Sequence, residues 1–528
     1  MLTKNIPKIF LAVGILTGLN TAVSAQISLT GQLRTRTELR DGIGNLVLKG
    51  APKAAFTSQR TRLNFGYKWD RLTVGVTLQD IRVWGQDAST ITANDGAKLM
   101  LHEAWADVVL ANKADTSFKF RLLDMLSLKV GRQELIYDDS RLLGNLDWLQ
   151  QGRRHDMALL KAVHHGWQVD LGYAFNQNTD AVGYTGTGYA PGNVPTYAKS
   201  STGVLMPVPG TGFVPIAAAG NAANNSSRGG TAIYTNPPST NAATADYKSF
   251  TSLYISKKFN QTKFSALLFN DNFGKSKLDS IADNAGGYLY GKRYASAGAA
   301  DTYDYSGYNS RFTYGLMVNQ AIGGASSFAK VALQAAYYQQ SGKDRAGLSL
   351  NAYHYMLQAA IQKGNFTITP GFEVLSGNDS TTAATDSKRF DPLYGTAHKF
   401  RGNMDYFYAG ANSPAGGLTD IYFKVKYATA LLSLSADYHN FATQQQMKAT
   451  TSKQLGNEVD LQLGYQLNKF TNAEFGYSFM LANDNMTVAK GQTAAISTLY
   501  NKTATWFYVI LKFTPDFMYT KAAAKAKG

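Results

Sequence analysis

Two alternating stretches decide the fold: RTRLNFGYKW at residues 60–69 and RLTVGVTLQ at residues 71–79. From Leu63 onward, the first stretch places Leu, Phe, Tyr and Trp at odd positions and polar residues or glycine at even ones. The second places Leu and Val at its even positions and Arg, Thr, Gly and Gln at its odd ones. A period of two is the mark of a β-strand with one apolar and one polar face. The short break at Asp70 predicts that the two strands form a hairpin.

The first 25 residues have the pattern of a secretory signal peptide. Lys4 and Lys8 precede an apolar run from about residue 9 to residue 19, and the tripeptide VSA that ends at Ala25 resembles a small-residue cleavage site. The mature chain is therefore predicted to begin near Gln26. The run is too short and too rich in glycine to span a bilayer. No later segment reaches the roughly 18 apolar residues that a membrane helix needs.

The composition excludes several classes of protein. The chain has no cysteine, so disulfides, thiolate metal sites and thiol nucleophiles are ruled out. Its formal net charge is +16, but Lys and Arg are scattered along the strands rather than clustered. Together with secretion, this scatter argues against nucleic acid as a partner. Aromatic residues make up 12% of the chain, which suits many strands with aromatic girdles.

The alternation recurs along the chain and predicts an all-β protein, a transmembrane antiparallel β-barrel of about 18 strands over residues 26–514. Nearly all tight turns fall on one side of this layout, predicted to be periplasmic. The long loops, at about 179–246 and 377–417, fall on the other side, predicted to be extracellular. The 111–125 connection is the one long piece on the turn side, and residues 515–528 form a C-terminal tail. A secreted soluble β-protein is the alternative, but it has no reason to keep this parity.

If the apolar face meets lipid, the opposite face lines a water-filled lumen. Strand parity and two dense loop stretches, about 131–156 and 390–407, predict a basic set of pore-lining or anion-binding residues: Arg34, Arg36, Arg60, Arg62, Arg82, Lys129, Arg132, Arg141, Arg153, Arg154, Arg311, Lys330, His398, Lys399, Arg401 and Lys424. The predicted acidic pore-lining residues are Glu38, Glu103, Asp107, Asp170 and Asp460.

These charges have two readings. They could form cross-strand pairs that hold the wall, or a basic excess could lower the energy of an anion in transit. The two dense stretches combine Arg, His, Tyr and Asp, which suits a carboxylate-bearing sugar because Arg binds carboxylates bidentately. The same composition also suits a loop that folds inward and plugs the barrel through its own ion pairs.

Several runs resemble the alginate export family of outer-membrane porins. They are LQDIRVWG at 78–85, HEAW at 102–105, GRQ at 131–133, DWLQQGR at 147–153 and the block Tyr394–Phe407, so the resemblance extends over essentially the whole mature chain. It implies an 18-stranded monomeric barrel with an Arg- and Lys-lined passage for an anionic polyuronate. The loop at 179–246 and the extension past Phe513 depart from the family pattern.

The sequence therefore predicts a passive outer-membrane channel for an anionic polysaccharide such as alginate, or for related anionic solutes. The alternatives are a general diffusion porin, a plugged structural or receptor barrel, and an outer-membrane hydrolase. No enzyme site, cofactor or metal is predicted, since the sequence offers only His155-Asp156 as a candidate dyad. We expect a monomer surrounded by outer-membrane lipid, and the sequence leaves open whether periplasmic secretion partners supply it.

Overall fold

The computed structural model describes residues 26–85, 99–114, 122–176, 197–200, 202–209, 212–215, 231–233, 247–324, 326–379, 381–407, 414–450 and 452–519. The predicted signal peptide, residues 115–121 of the 111–125 connection, much of the 179–246 loop and the end of the predicted tail lie outside these ranges. Within them, no helix combines the length and apolarity needed to cross a membrane.

Eighteen antiparallel strands close into one barrel, in which the first strand pairs with both the second and the last. The predicted architecture is confirmed, and several strands are longer than predicted. The strands are β1 Gln26–Asp41, β2 Ala54–Trp69, β3 Leu72–Val83, β4 Met100–Asn112, β5 Met125–Gln133, β6 His155–His164, β7 Trp167–Phe175, β8 Tyr247–Phe259, β9 Thr262–Gly274, β10 Tyr308–Ile322, β11 Lys330–Lys343, β12 Ser349–Lys363, β13 Phe366–Leu375, β14 Leu418–Ala428, β15 Leu432–Ala442, β16 Gln454–Asn468, β17 Thr471–Ala482 and β18 Thr503–Phe513.

Strands β2 and β3 form the predicted hairpin, with Trp69 opposite Leu72. The turn holds two residues rather than one, and Asp70 adopts a positive φ of 48°. Asn260 has a φ of 51° in the β8–β9 turn. Asp and Asn tolerate this left-handed conformation better than most residues, because their short side chains can hydrogen-bond locally. The short connections therefore carry turn chemistry that suits a barrel of hairpins.

The outward positions of the strands carry exposed apolar side chains, whereas the inward positions are buried or polar. Along β10, the outward Phe312, Tyr314 and Leu316 are 48%, 45% and 61% exposed, while the inward Arg311 and Met317 are buried. An apolar outer surface is what a bilayer requires of a barrel wall. The alternation in the sequence therefore predicts the two faces of β10 correctly.

We expect Leu316→Arg to lower the free energy of unfolding from lipid vesicles by about 2–4 kcal/mol, because Leu316 lies near the middle of the outward band, where a charge meets hydrocarbon. Thr61→Arg is the matched control, since Thr61 is also exposed and pairs with Asp80, which places it on the extracellular side of the apolar outward pair of Leu63 and Leu78. Urea titrations in vesicles measure both variants. An equal loss for the two would contradict the placement of β10 in the bilayer core.

The hydrophobic core lies inside the barrel. Inward aromatic residues of β8 and β9, including Phe250 and Phe269, pack with Phe390 and Tyr394 from the connection between β13 and β14. All four side chains are almost completely buried. A wide barrel lined only by its own wall would not bury these rings, so the core shows that connecting segments enter the lumen.

Two small sheets are separate from the barrel sheet and are formed by the connections that follow β7 and β9. One joins Lys277–Ala282 and Tyr288–Arg293 to Phe213–Pro215, and the other joins Tyr197–Lys199 to Leu205–Pro207 and Thr231–Ile233. The 179–246 loop, predicted to lack regular structure, thus contains strands of three residues. Strands this short cannot show a period of two in the sequence.

The start of the predicted C-terminal tail packs against β1. The backbone N–H of Gly31 donates to the carbonyl of Pro515 at 2.8 Å, and the N–H of Phe517 donates to Leu29 at 3.0 Å. These contacts hold residues 515–519 at the end of the barrel where β1 begins.

Candidate functional site: a lumen crossed by two loops

Two connections enter the lumen and form the candidate site. Loop A comprises residues 134–154, between β5 and β6, and loop B comprises residues 376–417, between β13 and β14. Residues 380 and 408–413 of loop B lie outside the described ranges. Both loops follow strands that end on the predicted extracellular side, so they turn back into the barrel from there.

Loop A reaches opposite parts of the wall. Near its start, Asp138 accepts hydrogen bonds from Tyr254 of β8 at 2.8 Å and from Lys263 and Ser265 of β9 at 3.0 and 2.8 Å. Near its end, Asp147 forms an ion pair with Arg60 of β2 at 2.8 Å. The loop therefore crosses the interior rather than covering its mouth.

Loop B also spans the lumen. Its Asp391 pairs with Arg311 of β10 at 2.7 Å, and the hydroxyl of Tyr394 donates to Asp271 of β9 at 2.7 Å. Farther along, the N–H of Met404 donates to Glu458 of β16 at 2.7 Å. Burial would raise the pKa of Asp391, but Arg311 and Arg345 lower it to about 2. Asp391 is thus held as an anion between cationic partners.

The two loops bind each other at the centre. The guanidinium of Arg153 donates to the carbonyl of Gly395 at 2.7 Å, and the N–H of Tyr394 donates to the carbonyl of Leu142 at 2.9 Å. The rings of Trp148 and His398 stack with centroids 4.1 Å apart. Loops A and B therefore form one inner body.

Glu373 of β13 anchors both loops at once. Its carboxylate lies 2.7 Å from Arg141 of loop A and 3.0 Å from Arg401 of loop B, and His354 of β12 is 2.8 Å away. All four side chains are buried. Two cations thus share one buried carboxylate, and removing one partner from a buried ion pair is costly.

A third segment, residues 483–502 between β17 and β18, supports loop B. It contains helix α1, Asp484–Ala489, whose N-terminus is capped by the Asn483 side chain. Lys490 follows the helix and donates to the carbonyl of Tyr406. Burial lowers the pKa of Lys490 to about 7, despite the opposing influence of Glu458 and Asp405.

Four inward arginines on β1 and β2 face the end of loop A. We call Arg34, Arg36, Arg60 and Arg62 the arginine wall. Arg34 and Arg60 donate to carbonyls of the 147–150 segment at 2.8–3.4 Å. Arg36 donates to the carbonyl of Trp148 at 3.0 Å. The arginine wall is therefore the binding surface of loop A as well as part of the lumen.

Asp147 supplies the carboxylate in the contact between loop A and the arginine wall. Its oxygens lie 2.8 Å from Arg60, 3.3 Å from Arg62 and 3.5 Å from Arg34. Burial would raise its pKa, but the three arginines outweigh that effect and lower it. Asp147 therefore stays ionised, and its side chain remains 40% exposed to the lumen.

Toward the end of the barrel that carries the short turns, the lumen is lined by partly exposed charges of both signs. Lys161 lies 3.5 Å from Asp107, and Lys424 lies 3.0 Å from Asp437. The ammonium of Lys129 lies 3.7 Å from the ring centre of Trp105. These contacts match the cross-strand pairs that the sequence left open.

Most of the predicted site residues face the lumen. Eight of the predicted basic residues have inward positions on strands: Arg34, Arg36, Arg60, Arg62, Lys129, Arg311, Lys330 and Lys424. All five predicted acidic residues are inward as well: Glu38, Glu103, Asp107, Asp170 and Asp460. The predicted loop residues lie on loops A and B: Arg141, Arg153, Arg154, His398, Lys399 and Arg401. Most of these cations bind protein carboxylates or carbonyls.

Two predicted pore-lining residues are wrong. Arg82 shares the outward parity of Leu78 on β3, and its Nε donates to Asp80 at 2.7 Å. Arg132 lies outward on β5 and pairs with Asp156 at 2.7 Å. The positive charge of Arg82 and Arg132 favours a place in the lumen, but a strand presents successive side chains to opposite faces.

The candidate dyad His155-Asp156 is also wrong, for the same reason. His155 faces inward and its Nδ1 lies 2.8 Å from the hydroxyl of Tyr247, whereas Asp156 faces outward to Arg132. Sequence reasoning missed Asp147, as it missed the loop anchors Asp138, Asp271 and Glu458. The signal for Asp147 is an isolated acid at the start of the run DWLQQGR.

Several solved outer-membrane protein structures are similar to this chain in fold, although their sequences are only distantly similar. Pseudomonas aeruginosa OccK9 (OpdG) is 12% identical, with 93% of this chain and 98% of that chain covered and a TM-score of 0.52. P. aeruginosa OccK2 (OpdF), solved in complex with glucuronate, is 11% identical, with 93% and 97% covered and a TM-score of 0.52. Acinetobacter baumannii OccAB4 is 9% identical, with 93% and 98% covered and a TM-score of 0.51. The fold is that of outer-membrane porins.

The sequence comparison is more specific over the first part of the chain. Residues 25–174 match the family described as alginate export. The predicted resemblance to this family is confirmed over those residues, which include β1 to β7, loop A and most of the arginine wall's partners. The block Tyr394–Phe407 lies beyond the match, so the resemblance there stays a prediction. No curated protein matches the chain.

Proposed function

We propose that this protein is an outer-membrane channel that passes anionic sugars of the uronate class through a pore lined by Arg and Lys. The observation that carries the proposal is the arginine wall, Arg34, Arg36, Arg60 and Arg62, four neighbouring inward guanidinium groups that bind loop A in this structure. Guanidinium groups bind carboxylates bidentately and stay charged at every physiological pH. A uronate would exchange its hydration for these donors where it displaces the loop A oxygens that now accept from them.

The periplasmic half of the lumen supports the same polarity. Inward lysines there, several of them exposed, would raise the local concentration of anions at the entrance. They are Lys68, Lys161, Lys258, Lys330, Lys426 and Lys512. Fewer carboxylates, such as Asp107 and Asp437, offset them, and these are already paired with lysines. The excess of lysines makes the electrostatic potential in this half of the lumen positive, which would draw an anion in from the periplasm.

The comparisons support the uronate class. The family matched by residues 25–174 is described by alginate, which is a polyuronate, and OccK2 was crystallised with glucuronate. Aromatic stacking of a sugar on Trp148 does not form part of the proposal. His398 covers one face of that ring, and Arg36 lies 4.8 Å from its centre.

A plugged barrel is the second candidate, and the inner body of loops A and B favours it. Their buried ion pairs with Glu373 and Arg311, and the hydrogen bond from the Met404 N–H to Glu458, hold a compact structure across the lumen. In that case the protein would serve a structural or receptor role. Single-channel recording, described next, distinguishes an open channel from a plugged barrel.

The test is the current through single molecules of the mature chain, from Gln26, in a planar bilayer under a salt gradient. We expect a reversal potential that shows anion selectivity, and block of the current by an oligoguluronate but not by neutral maltotriose. Cation selectivity, or equal effects of the two sugars, would overturn the uronate proposal and favour a general porin. A silent bilayer containing folded protein would favour the plugged barrel.

A further inference from the structure

The position between Arg34, Arg60 and Arg62 can bind an anion, and we call it the anion seat. We infer that the Asp147 side chain occupies this seat and thereby sets how tightly the pore binds a uronate. The inference rests on the proposed function and adds a specificity-determining residue to it. In the folded chain, the Asp147 carboxylate takes the place that a uronate carboxylate would take between Arg34, Arg60 and Arg62.

The three arginines are held so that a terminal nitrogen of each lies 2.8–3.5 Å from the Asp147 carboxylate. The Nε of Arg60 donates to Gln32 at 2.8 Å, and that of Arg62 donates to Gln79 at 2.6 Å. The Nε of Arg34 donates to Gln150 at 3.1 Å. Each guanidinium therefore has one edge fixed by a glutamine and directs a terminal nitrogen toward the carboxylate.

The charges require an anion at this position. Three cations lie around one carboxylate, and Arg60 itself is completely buried. Without an anion, the guanidinium groups would repel one another in a poorly hydrated site. A carboxylate is therefore needed, but it does not have to be part of the protein.

A solute can reach the seat. Whereas Arg34 and Arg60 are buried, the Asp147 side chain is 40% exposed to the lumen. Asp147 also belongs to a loop, so its carboxylate can leave by a local movement that strand residues cannot make. A uronate would compete with Asp147 for the same donors, and the outcome decides whether the anion stays bound or passes.

The experiment compares four variants of the mature chain. Asp147→Ala vacates the seat, and Asp147→Asn removes the charge but keeps the volume. Asp437→Ala and Asp437→Asn are matched controls, because Asp437 is a lumen carboxylate that pairs with a single lysine, Lys424, at 3.0 Å among the described residues. Binding of glucuronate to the detergent-solubilised protein is measured by titration calorimetry, and selectivity is measured in planar bilayers. Heat-dependent mobility in gels confirms that each barrel is folded.

We expect Asp147→Ala to bind glucuronate about tenfold more tightly than the wild type, because charge-assisted hydrogen bonds to the three arginines become available. Asp147→Asn should raise anion selectivity more than Asp437→Asn does, and it decides the question if the alanine variant fails to fold. Equal behaviour at positions 147 and 437 would overturn the inference while leaving an anion-selective wild type intact. A wild-type channel without anion selectivity would instead overturn the proposed function. Calorimetry would then still show whether the seat accepts a carboxylate.

Discussion

Glu373→Gln is expected to lower the free energy of unfolding by about 3–5 kcal/mol, the usual cost of removing one partner from a buried ion pair. The glutamine keeps the shape of the side chain but leaves Arg141 and Arg401 buried without their shared anion. Loops A and B would both lose an anchor. We therefore also expect larger and noisier single-channel currents, because the inner body would leave the lumen for part of the time.

Asp437→Asn is the control for this prediction. It also removes a lumen carboxylate, but its pair with Lys424 is partly exposed, and such pairs contribute only about 0–1 kcal/mol. Urea titrations from vesicles compare the two variants. If Glu373→Gln cost no more than Asp437→Asn, the shared carboxylate would not be the anchor of the loops.

A compensated variant tests the electrostatic origin of the effect. Replacing Glu373 by Leu together with Arg141 and Arg401 by Met removes all three charges and keeps most of the volume. Apolar replacement of a buried Arg–Glu–Arg triad is often neutral. Arg141 also pairs with Asp139 at 3.2 Å, so the variant leaves Asp139 without that partner. We expect this triple variant to recover part of the stability that Glu373→Gln loses, and no recovery would point to lost packing instead.

Arg60→Glu is expected to change the ion selectivity of the pore most strongly. The new carboxylate would lie beside Asp147, whose Oδ1 is 2.8 Å from the guanidinium in the wild type. Two like charges at this distance in a poorly hydrated site repel strongly. We expect the ratio of chloride to potassium permeability to fall by about tenfold, equivalent to about 1.4 kcal/mol. Reversal potentials under a salt gradient measure this ratio.

Lys330→Glu is the matched control, because it makes the same change of charge at an exposed inward position near the periplasmic end. Exposed charges are screened by salt within about 8–10 Å. The control should therefore shift selectivity in the same direction but by less, and its effect should fade as salt is raised. An effect of Arg60→Glu that is equally small and equally salt-sensitive would mean that the arginine wall does not lie on the path of the ions.

The sequence by itself determined the barrel and its two faces. The period of two in stretches such as 60–69 follows from strand geometry, so it could be read without knowing any contact. The number of strands and the side of each turn followed from repeating that reading. The inward positions of residues such as Arg34, Lys129 and Asp460 came from the same parity. Arg82 and Arg132 lie outward, because strand parity and not charge determines the face of a side chain.

The tertiary structure decided what the inward charges bind. Loops A and B lack a period. Their composition left an inward-folding loop as one of two interpretations, and nothing in their sequence shows which strands they meet. The contacts of Glu373 with Arg141 and Arg401, and of Asp147 with the arginine wall, join residues far apart in the chain. Alternation determines which face a side chain takes, because that is a local property of the backbone. Whether an inward arginine faces water or another part of the protein depends on where distant loops come to rest.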